Sequence, residues 1–370
     1  MTAEHSPPSH AERARAAEPG LTRSIPGLRW PTPAAALREL ADAADSLDEP
    51  GAWDRYGEHG PVAALERRVA DLLDKPSAAM FPSGVMAQQS MLRVWCDARG
   101  SRRVAIPALA HPVKHELDGP RLLHGFEFDL LTDGPTVPQV EHLDAIRGRL
   151  GAALLELPLR GAGHLLPSWD ELAAFSRACR ERSVPLHLDG ARIWESAPYL
   201  GHSPARVSGL ADSVYVSLYK GLGGLSGAVV AGPEEEVAQA RVWRSRMGGT
   251  LFSLMPFAVA ALRGLDRELP RMAEYHEHAV LLAQWLEARG IRVTPQPPHT
   301  NAFRIHLERP AADLDERRVV AMESERVRLS PPWNAADVPG WSWTELVVGP
   351  ATMEWEVDEV VDTLARWYRD

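Results

Sequence analysis

The sequence predicts an α/β fold: a mostly parallel central sheet with helices on both faces, followed by a smaller α+β domain. Three observations carry this. Strand-like runs alternate with helix-period segments from about residue 61 to residue 231, the pattern of a sheet built by crossover connections. Strand-like runs also lead into a Ser-Gly turn at Ser83-Gly84, into Asp189 and into Lys220, and ligands of such sheets bind at the carboxyl ends of strands. After about Arg271 the texture changes to helices with only a few strands. The expected organisation is an N-terminal arm, partly flexible, over residues 1–50, a large α/β domain over 51–270 and a small α+β domain over 271–370.

In chain order, Val62, Leu65, Val69, Leu72 and Leu73 share one face of a helix that opens with Pro61 and stops before Pro76. Ala78 to Phe81 reads as a strand. It passes through Pro82-Ser83-Gly84 into a helix ending near Trp95, and the N–H groups at such a helix start suit a phosphate, although many ordinary strand-to-helix turns look the same. Further strands are expected at Arg103–Pro107, Phe126–Leu131, Ala152–Leu157, Val184–Leu188, Ser213–Ser217 and Gly227–Ala231. Between the third and fourth of these, Ser168-Trp169-Asp170-Glu171 is a capping box opening a helix through Leu172, Phe175 and Cys179. The last domain reads as a helix over Met272–Arg289, strands at Ile291–Val293, Ala302–Leu307 and Glu345–Val348, and an amphipathic helix over Trp355–Tyr368.

Composition bounds the function. The 370 residues are 45% apolar with no run of eighteen apolar residues, so no membrane span is expected. A net charge of −10 with scattered Arg argues against a nucleic-acid groove and for a small-molecule site. Cys96 and Cys179 are too few for a disulfide framework and lack metal-ligand spacing; with residues 1–24 lacking the apolar core of a secretory signal, a cytoplasmic protein is expected. Of 40 basic residues only Lys75, Lys114 and Lys220 are lysines. A guanidinium cannot form an imine, whereas an amine with a depressed pKa can, so each scarce lysine deserves a reason. Lys75 reads as a favourable charge at a helix end, and Lys114 stays open.

Asp189 and Lys220 are 31 positions apart and both follow strands. Pyridoxal phosphate enzymes hold the cofactor aldehyde on a Lys and commonly set an acid at the pyridine nitrogen. A lone Asp after a strand is more often a turn or cap, and a Lys beside glycines a solvated loop residue; their co-occurrence in a chain with three lysines favours chemistry. Ser217-Leu218-Tyr219-Lys220 also matches S-x-x-K, but no S-D-N or K-T-G completes that site. Gly221-Leu222-Gly223 hints at a dinucleotide fingerprint, yet Ser226 stands at the third glycine and a strand follows.

The segments Phe81-Pro82-Ser83-Gly84-Val85-Met86-Ala87, His111 with Glu116, His187-Leu188-Asp189-Gly190-Ala191-Arg192 and Lys220-Gly221-Leu222-Gly223 resemble the threonine aldolase and β-eliminating lyase family of fold-type I pyridoxal phosphate enzymes. Tyr56-Gly57-Glu58 and Thr300-Asn301 fit in the same order, and the resemblance spans roughly residues 50 to 350. It implies the fold-type I transferase-like architecture, pyridoxal 5'-phosphate as cofactor, and cleavage of a β-hydroxy-α-amino acid to glycine and an aldehyde. The alternatives are β-elimination or other chemistry at Cα, and a non-catalytic relative. It further implies a homodimer or homotetramer with active sites at the subunit interface; the neighbour is expected to reach in at Tyr56-Gly57-Glu58, with Tyr56 binding substrate.

Residue by residue, the resemblance makes Lys220 the Schiff-base lysine, Asp189 the partner of the pyridine nitrogen and Ser83-Gly84-Val85 the phosphate seat. Arg192 contacts the cofactor's phenolic oxygen or the substrate carboxylate, and His111 stacks on the ring; a capping or core histidine is the plain alternative. No metal is expected, since His111-x-x-x-His115 lacks a third ligand. Departures are Val85 for the usual Thr, Tyr219 for Ser, no Ser-Asp-Thr counterpart near Leu28-Arg29-Trp30, Glu345 where an Arg clamps the substrate carboxylate, and Leu159-Arg160 where a His is usual. Arg192 and Arg160 are therefore expected to hold that carboxylate. Glu345 is read as meeting a basic group, an Arg across the fold, or solvent. Trp333, Trp341 and Trp343 are read as pocket lining or core packing.

Overall fold

The computed structural model describes residues 8–28, 31–47 and 51–369. Contacts divide the chain into two compact units, residues 35–273 and residues 1–34 with 274–370.

The larger unit is built on seven strands: β1 (Ser77–Phe81), β2 (Arg103–Ile106), β3 (Glu127–Leu130), β4 (Ala152–Glu156), β5 (Leu186–Asp189), β6 (Ser213–Ser217) and β7 (Ala228–Gly232), in spatial order β1-β7-β6-β5-β4-β2-β3. Every neighbouring pair is parallel except those of β7, which runs antiparallel to β1 and β6. The reversal has a local cause. Residues 218–227 join β6 to β7 without a helix, whereas a parallel return needs a crossover of about a dozen residues or more. Strands β5, β6 and β7 are buried at every position, the burial expected of strands covered on both faces, while edge strand β3 has no buried residue.

Helices of this unit include α1 (Gly60–Leu73), α2 (Gly84–Arg99), α3 (His111–Lys114), α4 (Trp169–Glu181), α5 (Ile193–Leu200), α6 (Glu234–Arg246) and α7 (Met255–Arg267). Helix α2 buries Ala87, Met91, Leu92 and Trp95 against Phe81, Ile106, Tyr215 and Val230 in one apolar cluster. Met91 and Leu92, fully buried, each stabilise this packing by roughly 2 kcal/mol, which fixes where the N-terminus of α2 points. The predicted capping box opens α4: Glu171 N–H donates to Ser168 Oγ at 3.3 Å and Ser168 N–H to the Glu171 carboxylate at 2.7 Å.

The smaller unit holds an antiparallel sheet of β8 (Arg292–Thr294), β9 (Ala302–Leu307), β10 (Asn334–Ala335) and β11 (Ser342–Val347), in order β10-β11-β9-β8. Its helices include α8 (Met272–Ala288), α9 (Ala311–Ser324) and α10 (Val357–Tyr368). Helix α9 escaped the sequence reading because its inward face, Leu314, Arg318, Val319 and Met322, includes an arginine. Of the N-terminal segment expected as an arm over residues 1–50, the described residues up to 34 join this unit and those from 35 join the larger one. The helix His10–Ala17 is closed by a Ser9–Glu12 capping box and held on α9 by Arg13, which reaches Glu316 at 2.6 Å and Glu323 at 2.7 Å. Arg23–Ser24 then pairs parallel with Val327–Arg328. Arg29 and Trp30, where a Ser-Asp-Thr counterpart was sought, lie outside the described residues. Among the described residues no helix is long and apolar enough to cross a membrane.

Candidate active site

Two carboxylates end adjacent strands. Glu156 closes β4 and Asp189 closes β5, opposite each other in the parallel register. Asp189 is buried; its Oδ2 accepts from the Gln88 side-chain amide on α2 at 2.9 Å and its Oδ1 from the Ala191 N–H at 3.1 Å. Glu156 accepts the backbone N–H of His111 at 2.7 Å and of Arg160 at 3.1 Å. Burial, and then the charge of Asp189, push the Glu156 carboxyl above its ordinary range.

Lys220 follows β6, the other neighbour of β5. Burial lowers its amine to about 8, helped by the Arg192 guanidinium and opposed by Asp189, Glu156 and Glu195. The charges of these four groups thus act in opposing directions on one buried amine. Arg192 is half-buried at the start of α5. The His111 ring, also half-buried, opens α3; its Nδ1 lies 3.0 Å from Glu116 Oε1, and this hydrogen bond raises the imidazole pKa. Glu116 is buried and fixed by the Gln89 amide at 2.6 Å.

Ser83 caps α2, its Oγ accepting from the Met86 N–H at 3.3 Å, and it is exposed. The helix of 16 residues presents its first-turn N–H groups here, an arrangement that suits an anion. Gly84 is required on steric grounds, because a Cβ would overlap the hydroxyl of the buried Tyr215. Val85 is 39% exposed and offers no hydroxyl, leaving anion contacts at this position to the backbone.

The remaining sequence candidates fall variously. Arg160 is half-buried in the turn after β4. Tyr56 is 57% exposed and packs edge-on against Phe252 with ring centroids 5.5 Å apart. No hydrogen bond or ring contact joins it to Asp189 or Lys220 among the described residues. In the smaller unit, Glu345 stands across the strand pair from Arg304, 3.8 Å away, so the reading in which it meets an Arg holds. Trp333 is core packing, edge-on to Tyr368, while Arg292 and Arg304 cover the rings of Trp341 and Trp343. Lys75 donates to the Ala211 carbonyl at 2.6 Å, and Lys114 is exposed.

Sequence reasoning missed Gln88 and Glu195. Gln88 sits five residues after the helix cap, on the face α2 turns inward, and a polar residue on an apolar face is the signal that could have found it. Together these residues fit pyridoxal phosphate. They offer an amine that deprotonates near neutrality, a buried carboxylate, a helix start cleared of side chain by Gly84, and the buried Gln88 Oε1, which has no hydrogen-bond partner.

Comparison with known proteins agrees. The β-eliminating lyase family matches residues 31–309. Low-specificity L-threonine aldolase 1 of Arabidopsis thaliana is 28% identical over 80% of this chain and 87% of its own length. A solved structure from Exiguobacterium sp. 255-15, provisionally described as an aromatic amino acid β-eliminating lyase/threonine aldolase, superposes with a TM-score of 0.88 at 35% identity, covering 96% of this chain and 100% of that one. One from Listeria monocytogenes, provisionally described as an L-allo-threonine aldolase, gives 0.88 at 32% identity over 97% and 99%. The architecture is that of fold-type I pyridoxal phosphate enzymes, and the chain belongs to the β-eliminating lyase family.

Proposed function

We propose that this protein is a pyridoxal phosphate-dependent lyase that cleaves a β-hydroxy-α-amino acid, threonine-like or bulkier, to glycine and an aldehyde. The carrying observation is the Lys220 amine, lowered to about 8 amid Arg192, Asp189, Glu156 and Glu195. The names of the Arabidopsis and Listeria relatives support the choice of reaction.

When bound, the cofactor supplies an aldehyde that captures amines and a ring that draws electrons from the substrate Cα. Lys220 Nζ, its amine lowered to about 8, would be the nucleophile toward that aldehyde. Asp189, buried and braced by Gln88 and the Ala191 N–H, would partner the ring nitrogen. Ser83 Oγ with the N–H groups of Gly84 and Val85 binds the phosphate. Arg192 and Arg160 bind the substrate carboxylate. His111 would lie against the cofactor ring. Glu116 occupies its Nδ1, so Nε2 accepts the proton of the β-hydroxyl, and the carboxylate stabilises the cation that forms.

Two finer points belong to the same reading. The protein is a homodimer or homotetramer in which Tyr56 serves a neighbour's site, a reading supported by the exposure of Tyr56 and of the Phe252 ring it packs against. It works in the cytoplasm, supported by two buried cysteines kept as thiols. The deciding experiment is incubation with a panel of β-hydroxy amino acids. Glycine with an aldehyde is expected; ammonia with a keto acid would replace the aldolase reading with β-elimination.

A further inference from the structure

Glu195 is the most deeply buried acid near Lys220 that the mechanism above does not use. It lies on α5, one turn beyond Arg192, and is 2% exposed. Its Oε1 accepts the backbone N–H of Gly221, the residue after Lys220, at 3.0 Å, and its Oε2 has no hydrogen-bond partner. The approach is so close that a Cβ at Gly221 would overlap the carboxylate, which gives the glycine after the lysine a steric reason.

Leu218 and Leu222 of segment 218–227 are buried, and Leu222 packs on Gly264 of α7, but the segment's backbone hydrogen bonds are mostly internal. Gly223 N–H donates to the Lys220 carbonyl at 3.1 Å and Gly224 N–H to the Leu218 carbonyl at 3.0 Å, while Ser226 Oγ reaches the Pro82 carbonyl at 3.3 Å six residues beyond the lysine. The hydrogen bond from the Gly221 N–H to Glu195 therefore ties the lysine's own neighbour to the piece of chain that carries Asp189 and Arg192.

We propose that Glu195 is a positioning residue for Lys220: by receiving the Gly221 N–H it sets the separation between the lysine and Asp189. The inference rests on the pyridoxal phosphate reading. Burial raises the Glu195 carboxyl while Arg192 and Lys220 oppose the rise, but the Gly221 N–H needs only an acceptor oxygen. Either protonation state anchors the loop, and so would an amide.

The test compares wild type with Glu195→Ala, Glu195→Gln and Glu195→Asp. The readouts are pyridoxal phosphate affinity by absorbance titration, kcat and KM for threonine, and acetylation of Lys220 in cofactor-free protein relative to Lys75 and Lys114 by peptide mass. Leaving the buried Gly221 N–H unpaired in E195A should weaken cofactor affinity and kcat by about tenfold or more with KM within about threefold, and should raise relative Lys220 acetylation. E195D, one methylene short, should resemble E195A, and E195Q should recover most of the loss. If E195A fails to fold, the contrast between E195D and E195Q decides. E195A or E195D matching wild type in all readouts, or E195Q as damaged as E195D, would overturn the proposal. Wild-type protein that binds no pyridoxal phosphate would instead overturn the functional reading, and the acetylation ratio would still decide the role of Glu195.

Discussion

At the residue scale the charges around Lys220 make predictions of opposite sign. With its amine lowered to about 8, the free base falls about tenfold for each unit below that pH. Capture of added pyridoxal phosphate should therefore rise with that slope from acid pH and level off above about 8. Arg192 depresses the amine, so Arg192→Leu should move the midpoint up. Asp189 raises it, so Asp189→Asn should move the midpoint down. Losing the charge at the ring nitrogen should also lower kcat by about 100-fold or more. Rapid-mixing absorbance across pH checks both shifts, and two midpoints moving together would refute the electrostatic account. Lys220 and Asp189 were legible in the sequence because each is unusual in its place, one by scarcity and both by following strands. Gln88 offered only the weak signal of a polar residue on an inward helix face, and Glu195, within a helix, offered none. Their roles come from tertiary approaches of 2.9 Å and 3.0 Å to residues far along the chain.

At the element scale the start of α2 is the most constrained point. Tyr215 is buried on β6 and packed in the same cluster as Met91 and Ala87, so it cannot swing away from a methyl group added at Gly84. Gly84→Ala should displace the first turn, cost about 1–3 kcal/mol of stability and weaken cofactor affinity. Ser168→Ala provides the contrast. It removes the capping hydroxyl of α4 and should cost about 1 kcal/mol with cofactor affinity unchanged. Thermal melts and cofactor titrations of the two variants separate a phosphate-seat effect from simple destabilisation. The same scale shows the reach of pattern reading. Most strands of the large sheet were legible because apolar runs bounded by turns mark buried strands, and the unburied edge strand β3 by its flanking Phe126 and Leu131; the direction of β7 was not, since direction depends on a missing crossover helix. The helices at His10–Ala17 and Ala311–Ser324 escaped because charged contacts, including Arg13 with Glu316 and Glu323, help hold them together.

At the scale of the whole molecule, Trp53, Tyr56 and Phe252 are 62%, 57% and 62% exposed. Tyr56 and Phe252 are in contact through their rings and through a 2.9 Å backbone hydrogen bond from Tyr56 N–H to the Phe252 carbonyl. Aromatic residues gathered on a surface are what an assembly covers. If Tyr56 serves a neighbouring subunit, a site needs Lys220 from one chain and Tyr56 from another. Lys220→Ala and Tyr56→Ala proteins would each be inactive or strongly impaired. Mixing them under conditions that allow subunit exchange creates hybrids in which one site carries both changes and the other carries neither. Random pairing of equal amounts would put half the dimers in that class, each with one intact site, so activity should return to about a quarter of the wild-type value. Phe252→Asp in both chains should prevent the recovery by keeping the chains apart, which sedimentation velocity would register as a shift toward monomer. Exchange without recovered activity would mean that Lys220 and Tyr56 act within one chain or that Tyr56 has no part in the site.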